Sequence, residues 1–164
     1  MNRFRRLTIA ASLSLALVSL PAMALAADAA YAVSGVEYAA TTTVGSFAGF
    51  AVAADDYGAW KATVVHGPIP TTVGVSSPVN GGSFALDGKV RDLVGTFNQG
   101  GSVTMLTTSS CGRQTYSVSG SLALTAGGSG TADFNAVLTH YRIWLWGRCV
   151  TYGATVKGLV TFHL

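Results

Sequence analysis

Between Gln114 and Thr125 apolar and polar residues alternate with a period of two. Tyr116, Val118, Gly120, Leu122 and Leu124 fall on one parity, and Thr115, Ser117, Ser119, Ser121 and Thr125 on the other. That is the period of a strand with one dry and one wet face, as in an antiparallel sheet covering a core. Thr131 to Arg142 alternates similarly, with Phe134, Ala136 and Leu138 opposed to Asp133, Asn135 and Thr139. Gly127-Gly128-Ser129-Gly130 lies between the two runs and predicts a hairpin turn. Val150 to Leu164 is a third such run, with Tyr152, Ala154, Val156, Val160 and Phe162 on one parity and Thr151, Thr155, Lys157 and Thr161 on the other. Less regular alternation predicts further strands over 31–44, 47–54, 59–66, 83–86, 90–97 and 102–108.

Gly-Ser units recur at Gly45-Ser46, Gly81-Gly82-Ser83, Gly100-Gly101-Ser102 and Gly127-Gly128-Ser129, and read as repeated hairpin punctuation. Pro68, Pro70 and Pro78 mark residues 67–80 as a loop over one end. Eight or nine short strands joined by tight turns predict an all-β fold, a small antiparallel β-barrel, with a two-sheet β-sandwich as the alternative. In size and turn density the chain is similar to calycin-type barrels, without a family motif that would name one.

Composition then removes several function classes. Arg3, Arg5 and Arg6 precede the apolar run Leu7–Leu20, which is followed by Pro21 and small residues up to Ala27. That order is a secretory signal peptide over residues 1–26, leaving 27–164 as a single domain in a periplasmic or extracellular setting. The formal charge of +3 comes from the three leader arginines. The remaining Lys61, Lys89, Arg91, Arg113, Arg142, Arg148 and Lys157 balance Asp28, Glu37, Asp55, Asp56, Asp87, Asp92 and Asp133, so no basic field remains for nucleic acid. Cys111 and Cys149 are the only cysteines and, in an exported chain, read as one disulfide.

Candidate chemistry is sparse. The chain has no G-x-S-x-G elbow, no H-E-x-x-H and no phosphate-cradling loop, so the reading leans away from an enzyme, and no cofactor or metal is expected. His66 shares the parity of Trp60, Ala62 and Val64, and His140 and Arg142 share that of Phe134, Ala136 and Leu138. Both histidines should therefore point inward at strand ends, whereas His163 should face water. Two readings follow. His66, His140 and Arg142 line one mouth of the barrel and orient a small ligand. Alternatively, the imidazoles simply hydrogen-bond to backbone or Glu37 in a filled core, the reading favoured because buried polar groups ordinarily need only partners.

Tyr141-Arg142-Ile143-Trp144-Leu145-Trp146-Gly147-Arg148 concentrates two tryptophans ahead of Cys149. Exposed, Trp144 and Trp146 would form a knob for a partner or a membrane interface. Folding back onto the core, or lengthening a strand, is the favoured expectation, since large apolar clusters are mostly buried. The leading functional expectation is a non-enzymatic exported barrel binding a small apolar ligand or a protein partner. A small outer-membrane β-barrel and a surface-fibre subunit are the alternatives, and membrane contact is not expected.

Overall fold

The computed structural model describes residues 28–164; the leader expected over 1–26 lies outside the described residues. Nine strands follow in order: β1 (Ala29–Ala40), β2 (Val44–Val52), β3 (Tyr57–His66), β4 (Ser76–Gly88), β5 (Asp92–Phe97), β6 (Ser102–Thr107), β7 (Arg113–Ala126), β8 (Thr131–Leu145) and β9 (Arg148–His163). All pair antiparallel in the order β3-β2-β1-β9-β8-β7-β5-β4, and a β3–β4 ladder closes the ring. β5 and β6 share one position between β4 and β7, one at each end, so nine strands fill eight positions of a closed barrel. The sandwich alternative is thereby excluded.

Eight positions enclose a space that side chains can fill, and here they fill it. Trp60 stacks on Phe84 at 6.0 Å, Phe84 meets Phe162 at 5.9 Å, and Tyr31 meets Phe162 edge-on at 5.6 Å. Phe97 and Phe134 form a second edge-on pair at 5.5 Å. Ala51, Ala62, Ala132, Ala136 and Ala154 are buried among these rings and give them room. Each large side chain so buried contributes about 1.5–3 kcal/mol of transfer free energy.

Outside, the same alternation leaves a mixed wall: Phe50, Val65, Val94, Val137 and Leu159 stand exposed beside hydroxyl pairs, Ser76 bonded to Thr104 at 2.7 Å and Ser102 to Ser119 at 3.1 Å. Lys61, Asp133, Asn135 and Lys157 also stand exposed on that wall. A membrane-spanning barrel of the porin kind surrounds a polar lumen, whereas the interior here is apolar. A lysine on a lipid face would cost about 2–4 kcal/mol at the midplane.

Of the four Gly-Ser units, only 127–129 makes a hairpin turn. Gly45 and Ser46 lie inside β2, Gly81–Ser83 inside β4, and Gly100–Gly101 in the break between the collinear β5 and β6. Gly82 (φ +134°) shows why: a Cβ there would run into the Thr63 carbonyl of the adjacent strand. Glycine here permits close approach and a bend rather than a chain reversal. The proline-marked loop is also shorter than its composition implies, because β4 begins at Ser76 and includes Pro78.

Candidate functional site

Strand direction alternates around the ring, so the turns collect at two rims. One rim carries Asp28, Asp55, Asp56, Asp87, Asp92 and Asp133 with Lys89 and Arg91, a net −4. The opposite rim, where β8 and β9 extend furthest, carries Arg113, Arg142 and Arg148 against Glu37, a net +2. Lys61 and Lys157 sit at the waist. The domain is neutral in sum and electrically polarised along its length.

At the acid rim Asp56 is 2% exposed. It accepts hydrogen bonds from Tyr31 Oη (2.7 Å) and the backbone N–H groups of Tyr57 (2.8 Å), Val90 (2.9 Å) and Arg91 (3.1 Å). Burial pushes its carboxyl upward, but the four donors outweigh that and hold it below the usual aspartate range. Burial, and then the Asp56 contact, raise the Tyr31 phenol. Arg91 adds a bidentate bridge to Asp55 at 3.2 and 2.8 Å. This closed, fully partnered lattice is a structural clasp.

The opposite rim brings together the histidines and arginine singled out by parity. His66 is buried, and its Nδ1–H donates to the Gly67 carbonyl at 2.5 Å. His140 Nε2–H donates to Glu37 Oε2 at 2.9 Å, both side chains being nearly buried. His140 also packs on Tyr116 at 5.3 Å, and burial is the main reason that the Tyr116 phenol is raised. Both imidazoles thus have hydrogen-bond partners, His66 a backbone carbonyl and His140 the Glu37 carboxylate. Beneath Ile69, His66 and Glu37 line a void of only about 10 Å³, too small for an organic ligand.

His140 and Arg142 do share an open cleft of about 450 Å³ with Gln114, Tyr116, Thr41 and Thr71. Ile69, carried by the loop after β3, separates this cleft from His66. Arg142 makes one long contact, from Nη2 to the Cys149 carbonyl at 3.5 Å. Among the described residues no buried side-chain nitrogen or oxygen lacks a partner, and no three His, Cys, Asp or Glu side chains gather as metal ligands.

Above the cleft, β8 and β9 leave the barrel as a two-stranded arm. The β1–β9 ladder ends at Val36 and Thr155, and the β7–β8 ladder at Arg113 and Tyr141. Beyond a register shift at Tyr141/Arg142, the pairs Arg142–Thr151 to Leu145–Arg148 bond only to each other, apart from Arg142 N–H to the Gly112 carbonyl. The Cys111–Cys149 disulfide, with Cα atoms 5.6 Å apart, ties the arm to the loop before β7.

Of the two forms of the favoured expectation, the longer strand occurs and the fold-back of Trp144 and Trp146 onto the core does not. β8 runs three residues past Arg142, and the barrel has no second layer on which the extension could settle. Trp144 is 64% exposed and Trp146, at the tip, 97%. Trp146 (φ +48°) and Gly147 (φ +74°) are the central residues of the two-residue turn, the combination a type I′ hairpin requires. Trp146 is the only non-glycine described residue with positive φ. A bulky residue held there is strained.

Tyr38 and Tyr152, also well exposed, stand at the arm's base and did not emerge as candidates from sequence. Comparison with known proteins finds no match: no family model, no curated protein and no solved structure matches this chain.

Proposed function

We propose that this is an exported, non-enzymatic binding protein that engages its partner through the β8–β9 arm, on a barrel serving as a rigid base. The observation that carries this reading is Trp146: a fully exposed indole in a strained turn on a disulfide-tied projection. Nothing in the folded domain gains from it. The filled interior turns the reading away from a calyx-type carrier, and the Cys111–Cys149 bond is consistent with an oxidising compartment. A photoreactive phenylalanine analogue placed at Leu145, in cells exporting the protein, should form adducts. The same probe at Asp55, on the acid rim, should not. Equal adduct yields at both positions, or none at 145, would overturn the proposal.

A second reading is supported by the cleft beside Arg142, whose guanidinium keeps donors free above an apolar floor at Ile69. It suits a small molecule with an acidic group and a short apolar body. Saturable binding of such an acid, lost in Arg142→Gln, would support it; an unchanged affinity in that variant would remove it.

A further inference from the structure

Resting on the arm as the working surface, we infer that its partner is an anionic lipid surface, docked through the headgroup region rather than spanned. Three features converge on this. The first is shape. The tip is convex and narrow, with Trp144 and Trp146 presented alongside Ile143 and Leu145, each 40% exposed. A protein partner would need a matching cavity to desolvate such a knob, whereas a lipid interface deforms around it. Tryptophan is the side chain most at home at headgroup depth.

The second feature is local charge. Arg142 and Arg148 flank the apolar tip, Arg113 lies at its base, and residues 141–152 contain no carboxylate. Arginine stems can lie along the apolar segment while their guanidinium groups reach lipid phosphates. Near an anionic bilayer each such cation contributes about 1 kcal/mol.

The third is the polarity of the whole domain. A neutral protein gains nothing from net charge at an anionic membrane, but this one is turned by it. The +2 rim carrying the arm is drawn toward the surface, and the −4 rim is driven away. The field therefore presents Trp146 first. Glu37, the only carboxylate at the arm rim, is already bonded to His140 and nearly buried.

The test uses the disulfide-bonded chain 27–164 with vesicles of pure phosphatidylcholine or of phosphatidylcholine mixed equally with phosphatidylglycerol. Trp60 is buried, so changes in tryptophan emission report Trp144 and Trp146 alone. Mixed vesicles should sediment the protein and shift its emission to shorter wavelength. Pure phosphatidylcholine should do so far less, and added salt should release the protein. Arg148→Gln should weaken binding to the mixed vesicles about fivefold. Trp146→Ser should abolish the shift while circular dichroism confirms an unchanged barrel.

No sedimentation with the mixed vesicles would overturn the lipid assignment, as would binding that Trp146→Ser leaves intact. If adducts at position 145 are proteins and vesicles are ignored, the arm remains the working surface and only its lipid partner is refuted. If neither adducts nor vesicle binding appear, both readings fail.

Discussion

Replacing Trp146 by Asn should make the protein more stable while disabling it. The turn between β8 and β9 needs positive φ at both central residues, and Trp146 meets this at +48°. For a bulky L-residue that conformation costs about 1–2 kcal/mol, whereas Asn-Gly is the pair most often found in type I′ hairpins. At 97% exposed, the indole has almost no buried area to lose. Relieving part of the strain should therefore raise the unfolding free energy by about 0.5–1 kcal/mol. For a domain of this size that corresponds to an increase of about 1–4 °C in Tm.

Trp146→Gly should fall a few tenths of a kcal/mol below Trp146→Asn, because glycine also loosens the unfolded chain. Urea titration followed by far-ultraviolet circular dichroism, with the disulfide intact, measures all three. A Trp146→Asn protein less stable than the parent by more than about 0.5 kcal/mol would refute the reasoning, since the indole would then have to be packing in the folded state.

Four further predictions concern the frame that holds the arm. Asp56→Ala removes an acceptor shared by four donors and should cost about 3–5 kcal/mol, measured by urea titration. Because the folded-state pKa of Asp56 lies below its unfolded value, its contribution is present above the unfolded pKa and disappears as pH falls through the folded one, so Asp56→Asn should flatten the acid limb of the stability curve. Removing the disulfide as Cys111→Ser/Cys149→Ser opens a loop of 38 residues and should cost about 4 kcal/mol by the chain-entropy relation, seen as a lower urea midpoint. His163, bonded to Asp133 at 3.2 Å and Asp28 at 3.1 Å, should titrate above the usual histidine range by NMR, and Asp133→Asn should bring it down.

Much of this architecture is legible in the chain, and the failures have physical causes. Alternation marks all nine strands at least in part, because a closed sheet around a filled core imposes an inside and an outside. For β4 (Ser76–Gly88), however, it reaches only 83–86, since Pro78 makes the first half look like loop. It also places His66 and His140 inward, since parity is all that direction requires. Glycine misleads because the same residue serves turns, bends and close strand contacts. Gly127 looks like Gly82 until the strand opposite is known. The Trp144–Trp146 segment misleads for a different reason. Burial statistics describe residues that have a core within reach, and an arm beyond the ladder ends has none. The polarity of the barrel is visible only after strands are given directions, when the scattered aspartates collect on one rim.

The ladder between β1 and β9 joins the first and last described strands, with Ala29 opposite Phe162. Phe162 also touches both Tyr31 and Phe84, so the central aromatic cluster lacks its keystone until the final strand arrives. A barrel of this kind is assembled late: the chain must emerge almost whole before any closed ring exists, and folding dominated by such distant contacts is slow.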